Sequence, residues 1–236
     1  MNTEFFQNGI TMRQAEELFR LGSDAMLLAD FAALPKNARV CDLCAGAGAV
    51  GLLLLAREPE CSVTAVELQE AACELARKNV AENGLEDRMT VVPGDLREIE
   101  TLLSANGFDC VVCNPPYYPE SSGKAAENDA IAAAKTEKFC TIADVCRAAA
   151  RLLRTGGVFY LVHKPERLVD VLGTLRETRL EPKLLRFVKH DAGKTPSLVL
   201  IKSTRGGKPG LELAPDLILH DPDGSESAEY RRIYHM

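Results

Sequence analysis

From residue 39 onward, short apolar runs alternate with stretches of helical periodicity, and this alternation leaves few folds open. The apolar runs cover 39–43, 62–67, 89–93, 108–114, 158–163, 184–189 and 198–202, with helical patterns near 48–57, 69–83, 95–104, 138–154 and 165–178. Runs of five to seven residues rich in Val, Leu and Cys read as buried strands. Asn83-Gly84 and Thr155-Gly156-Gly157 read as helix stops. Strands alternating with helices mean parallel βαβ units and a sheet covered on both faces. Only residues 190–197 separate the last two strands, too few for a crossover helix, so the final strand runs antiparallel. The expected fold is an α/β domain over 38–208 with a seven-stranded, mostly parallel sheet and a reversed last strand. Ahead of it, 1–37 is expected to be a helical extension with helices at 11–20 and 24–34. Gly22 would stop the first, and Ser23 or Asp24 would cap the second. Behind it, 209–236 is a turn-rich tail expected to pack on or near the domain.

Two strand ends carry the chemistry. The first strand runs into Asp42-Leu43-Cys44-Ala45-Gly46-Ala47-Gly48-Ala49-Val50-Gly51, whose Gly46, Gly48 and Gly51 match G-x-G-x-x-G, with Glu67 ending the second strand. That is the dinucleotide fingerprint, so a nicotinamide oxidoreductase must be weighed. A pyrophosphate at that helix N-terminus would meet Asp42, whereas S-adenosylmethionine has no phosphate and carries a sulfonium and an ammonium that tolerate acidic surroundings. The strand order also resembles that of the class I S-adenosylmethionine-dependent methyltransferases. On this reading Asp42, Cys44, Gly46 and Gly48 surround the methionine portion of the cofactor, the glycines permitting close backbone approach. Glu67 accepts from the ribose hydroxyls. Asp95 accepts from the adenine amine, with Leu96 against the ring. Glu67 and Asp95 also suit a second role, as N-cap carboxylates for the helices that follow them.

The other strand end is Asn114-Pro115-Pro116-Tyr117, after Phe108-Asp109-Cys110-Val111-Val112-Cys113. Two prolines end the ladder and stiffen the turn, presenting Asn114 at the strand's C-terminal edge, where open α/β sheets bind ligands. An amide, an exposed Pro115 carbonyl and the Tyr117 ring can hold a flat, amine-bearing group by two acceptors and a stacking face. Asn114, Pro115 and Tyr117 are therefore the candidate catalytic residues, with Asn114 also bordering the cofactor.

Cysteine and charge set further bounds. Cys41/Cys44 and Cys110/Cys113 have CxxC spacing, but on strands positions i and i+3 point to opposite faces, so no metal site is expected. The eight cysteines read as small buried apolar groups in a reducing compartment. No run approaches about 20 apolar residues, and the N-terminus lacks the basic start and apolar run of a signal peptide, so the expectation is a cytoplasmic protein with no membrane span. Net charge is −6, yet from Arg147 to Lys208 fourteen basic side chains stand against five acidic ones. This span is the expected polyanion-binding side.

Across nearly its full length the chain resembles the N6-adenine branch of class I methyltransferases, and more narrowly the bacterial tRNA(Val) adenine-N6 methyltransferases. The resemblance is carried by Gly22-Ser23-Asp24-Ala25-Met26-Leu27-Leu28-Ala29, Cys113-Asn114-Pro115-Pro116-Tyr117-Tyr118, Leu161-Val162-His163, Lys202-Ser203-Thr204-Arg205-Gly206-Gly207 and Leu219-His220-Asp221-Pro222-Asp223-Gly224. It implies methylation, from S-adenosylmethionine, of the adenosine immediately 3′ of the anticodon, with the anticodon stem-loop on the basic span. The chain departs from the family at Cys44, where a glycine is usual, at Ser225-Glu226, where Tyr-Thr is usual, and at Ala134-Lys135-Thr136-Glu137, which follows the Ala-Arg-His-Glu pattern loosely. Other acceptors use the same four-residue motif: a glutamine amide of a translation factor, or guanine N2 in RNA. The short N-terminal extension favours RNA over the translation factor. A non-catalytic RNA-binding module is the alternative from another class, disfavoured by the intact set Gly46, Gly48, Glu67, Asp95 and Asn114.

Overall fold

A computed structural model describes residues 2–5, 9–14, 22–117 and 140–234. The expected strands are all present: β3 (Arg39–Leu43), β4 (Ser62–Glu67), β5 (Met89–Pro93), β6 (Phe108–Cys113), β7 (Leu153–His163), β8 (Leu180–Lys189) and β9 (Leu198–Arg205). They alternate with α2 (Ala49–Arg57), α3 (Glu70–Glu82), α4 (Ile99–Leu102), α5 (Ile142–Leu152) and α6 (Leu168–Glu177), while α1 (Ser23–Phe31) precedes the sheet. The order is β8-β9-β7-β6-β3-β4-β5, with β9 antiparallel to both β7 and β8 and the other pairings parallel. The reversed strand is thus the last one, inserted between its two predecessors.

Burial follows the pleat. On β6, Cys110 and Val112 join the core under α1, α2 and α3, while Val111 and Cys113 join the core under α5 and α6. Such two-sided burial is why the strands read as continuous apolar runs rather than alternating ones. Helix α2 buries Leu52, Leu53, Leu54 and Leu55 all round, and each such side chain contributes roughly 1.5–3 kcal/mol.

Besides the N-cap of α1, which is Gly22 without a side-chain hydrogen bond rather than Ser23 or Asp24, three expectations need correction. The helix expected over 11–20 is not there in its described part: Thr11–Gln14 is strand β2, antiparallel to β1 (Asn2–Phe5), and 15–20 lies outside the described residues. Met12 and Gln14 turn inward on alternate positions, a period of two that a four-residue window does not separate from a helical turn. The edge of β2 is satisfied by a helix: Asn83 and Asn79 of α3 accept from the Thr11 and Arg13 amides, both at 2.8 Å. Their Nδ2 groups donate back to the Thr11 and Arg13 carbonyls at 2.7 and 3.2 Å. Second, Thr155-Gly156-Gly157 does not stop a helix. Helix α5 ends at Leu152, and the glycines lie inside β7, where Gly156 takes φ +79° and a Cβ on Gly157 would sit 2.9 Å from the Arg154 carbonyl. Third, the sheet gains two short strands from the tail, β10 (Glu212–Leu213) and β11 (Leu217–Ile218), both parallel to β8.

The tail then closes with α7 (Ala228–Tyr234) against α1, where Arg232 pairs with Asp30 at 2.6 and 2.9 Å. Rings carry the contact on, His190 stacking on His220 at 4.3 Å and Tyr230 on Tyr234 at 4.2 Å. Among the described residues no helix is long and apolar enough to cross a membrane.

Candidate active site

Because β3 to β8 run parallel apart from β9, their C-terminal ends share one edge, and the residues singled out in the sequence gather along it. After β3 the backbone turns left-handed at Cys44 (φ +57°), Gly46 (φ +56°) and Gly48 (φ +88°) before α2 begins. Cys44 thus holds a backbone state that suits the glycine usual there. The turn also swings its side chain out of the strand pattern: the thiol packs against the core that holds Cys41, Cys113 and Cys140. Among the described residues no group of His, Cys, Asp or Glu is arranged to hold a metal.

The three glycines have different surroundings: a Cβ on Gly48 would lie 3.1 Å from Met89 and 3.5 Å from Ala76, so its missing side chain serves packing rather than the cofactor approach expected of it. A Cβ on Gly46 would meet nothing within 4 Å, so open space lies over it. On Gly51 it would lie 2.8 Å from Met89 and 3.0 Å from Val63, so this glycine serves close packing of α2 on the sheet. Asp42 is buried; its Oδ2 accepts from the Gly51 amide at 3.1 Å, and its Oδ1 has no partner among the described residues. Burial pushes the Asp42 carboxyl up to about 7, against the lowering effect of the Gly51 amide and with a further rise from Glu67. A buried acidic oxygen at the start of a loop with open space over Gly46 suits the ammonium end of S-adenosylmethionine, which would satisfy it.

Asp95 caps the turn that follows it, whereas Glu67 does not cap α3, whose N-cap is Gln69 with no side-chain hydrogen bond. Glu67 accepts from the Gly46 and Gln69 amides, each at 2.8 Å, tying the glycine loop to the start of α3. Burial raises its pKa. Two bonds leave lone pairs for ribose hydroxyls. Asp95 caps the 3₁₀ turn Leu96–Glu98 through the Arg97 amide at 2.9 Å and binds the Arg97 guanidinium, which lowers its pKa. Leu96 faces inward with Val66 and Ile99. An exposed apolar side chain at this edge is Leu68, 44% exposed beside Glu67. Sequence reasoning missed it because burial of a lone Leu after an acidic residue is set by tertiary packing.

At the end of β6, Pro115 is buried while Asn114, Pro116 and Tyr117 are half-buried. The Tyr117 hydroxyl donates to Asn114 Oδ1. Beside it lies fully buried His163, at the end of β7, with ring centroids 5.5 Å apart. His163 carried the family resemblance, but nothing in the sequence tied it to Tyr117. Asn79 was missed as well. It is 0% exposed and, besides holding β2, donates to the Ala47 carbonyl at 3.0 Å, inside the glycine loop.

The span from Arg147 to Lys208 is not one face. Lys164 and Lys194 follow the ends of β7 and β8 and lie at the Asn114 edge, whereas Arg154 and Arg205 lie at the opposite one. Arg154 is paired there with Asp109 at 2.6 Å, and Arg205 with the Leu153 carbonyl. The segment 134–137 lies outside the described residues.

Residues 20–178 match the methyltransferase small domain family. A tRNA1(Val) (adenine(37)-N6)-methyltransferase of Cronobacter sakazakii is 30% identical over 97% of this chain and 94% of its own length. One from Aeromonas hydrophila is 29% identical over 89% of this chain and 86% of its own. Among solved structures, a predicted O-methyltransferase from Agrobacterium tumefaciens superposes with a TM-score of 0.74 at 23% identity, covering 89% of this chain and 94% of that one. That likeness speaks for the fold alone.

Proposed function

This chain belongs to the methyltransferase small domain family and, within it, to the tRNA1(Val) (adenine(37)-N6)-methyltransferases; from that premise we propose that it methylates N6 of the adenosine immediately 3′ of the anticodon of tRNA(Val). S-adenosylmethionine, when bound, supplies an electrophilic methyl group on its sulfonium. The chain's own residues supply the rest. Asp42 and the loop around Gly46 and Gly48 hold the methionine end, and Glu67 the ribose. Asp95 and Leu68 border the adenine. At the acceptor, Asn114 Oδ1 and the Pro115 carbonyl take the two N6 hydrogens. The N6 lone pair is delocalised into the ring, so no strong base is needed at the outset. As the N6–methyl bond forms and the sulfonium–methyl bond breaks, positive charge builds on the nitrogen. The two fixed acceptors stabilise it without reorganising, and one N6 proton then passes to water to leave the neutral methylamine. The Tyr117 ring stacks on a base turned out of the loop, a contact worth ~1–3 kcal/mol by analogy with other aromatic–base stacks.

The observation that carries this reading is the half-buried Asn114 amide oxygen at a strand end, already engaged by a hydrogen-bond donor. The same reading puts the enzyme in the cytoplasm with its tRNA, and the anticodon loop on the Lys164 and Lys194 edge. The test is methylation of tRNA from cells lacking the gene, followed by nuclease digestion and nucleoside mapping. N6-methyladenosine at position 37 of tRNA(Val) is expected. Label in guanosine, or in a glutamine side chain of a translation factor, would replace this reading with one of its alternatives.

A further inference from the structure

His163 and Lys164 have no part in that chemistry, yet both converge on Tyr117. The Lys164 amide donates to His163 Nδ1 at 2.8 Å, so the ring proton sits on Nε2, and Nε2 has no hydrogen-bond partner among the described residues. Burial first, then the charge of Arg167, holds the imidazole neutral by lowering its pKa to about 4. A rigid neutral ring therefore backs Tyr117, at an interplanar angle of 65°. The Lys164 ammonium lies 5.3 Å from the Tyr117 ring centroid, within cation–π range, and 3.5 Å from the Ser197 carbonyl. The hydroxyl of the ring that both touch donates to Asn114 Oδ1, the atom assigned above to the incoming amine.

Resting on that assignment, we propose that Tyr117 is an exchangeable plug: its hydroxyl occupies the amine's acceptor, His163 and Lys164 seat the ring in that pose, and the target base binds by taking the hydroxyl's place on Asn114. The plug keeps a half-buried acceptor satisfied until substrate arrives. It also sharpens selection, because a base without an N–H at that point leaves Asn114 Oδ1 unpaired after displacing the hydroxyl. His163 acts here as a positioning residue.

The test is a double-mutant cycle read by binding, with an anticodon stem-loop and S-adenosylhomocysteine-loaded enzyme. Tyr117→Phe keeps the stacking ring and removes the competitor, so the stem-loop is expected to bind about 2- to 10-fold tighter, the worth of one neutral hydrogen bond. In an Asn114→Ala background the same change is expected to do nothing. Damage to a merely structural contact would weaken binding instead. Weaker or unchanged affinity for Tyr117→Phe, or equal tightening in both backgrounds, would overturn the plug. A stem-loop with purine riboside at the target separates the two layers. If the wild-type enzyme binds it as tightly as the adenosine stem-loop, the amine clamp itself is wrong.

Discussion

Asp42 shows how much a single residue reveals before and after folding. Its place ahead of the glycine loop was legible, since an acid at that strand end decides between a phosphate and a cation. That one oxygen is bonded and the other lacks a partner among the described residues was not legible, because burial decides it. A consequence follows for pH. The folded pKa of about 7 lies above the ordinary 3.8, so the folded chain keeps a proton that the unfolded chain releases between those values. Stability from this group is therefore present at low pH and lost as pH rises towards 7. Asp42→Asn removes the titration, so urea denaturation should show the variant gaining on the parent as pH goes from 4 to 7, then holding level. The opposite trend from His163, whose pKa is depressed, is present in both proteins and cancels. A stability difference constant across that range would contradict the assignment. Cys44 shows the converse: the departure is visible in sequence, but its left-handed backbone and its packing against the core that holds Cys41 are purely tertiary.

Elements were most legible where both faces of a strand are buried. The bounds of β3, β4 and β5 follow from apolar runs ended by loop residues. They blurred where tertiary pairing overrides local pattern: Leu153 opposes Phe108 across the sheet, drawing 153–157 into β7 despite two glycines. The N-terminal hairpin was illegible because its partner is a helix 66 to 72 residues away, offering Asn79 and Asn83 in place of a neighbouring strand. This pair makes a separable prediction. Asn79→Ala and Asn83→Ala both strip β2 of partners, and each should cost about 1–3 kcal/mol through unsatisfied buried groups. Only Asn79 also holds the Ala47 carbonyl, so only its loss should weaken S-adenosylmethionine binding, by several-fold in a calorimetric titration. Equal effects on the cofactor from both variants would remove the loop-anchoring role.

At the scale of the whole molecule, the sheet gathers distant residues and scatters near ones. Parallel strands bring Asp42, Glu67, Asp95 and Asn114 to one edge, which the strand–helix alternation already implied. The same topology divides the basic span, because β9 reverses, and no count of charges could show that. Phosphate contacts should accordingly come from the Asn114 edge. Lys194→Ala should lower tRNA affinity and flatten its dependence on log salt by about one unit. Arg154→Ala and Arg205→Ala should leave both unchanged, and filter binding across a salt series distinguishes the two edges. The central claim is that this edge holds an adenine amine against the cofactor through Asn114. Its most direct test is single-turnover methyl transfer to tRNA(Val) by Asn114→Ala with S-adenosylmethionine affinity measured alongside. A loss of at least about 10²- to 10³-fold in rate with near-normal cofactor binding is expected. A near wild-type rate in that variant would contradict it.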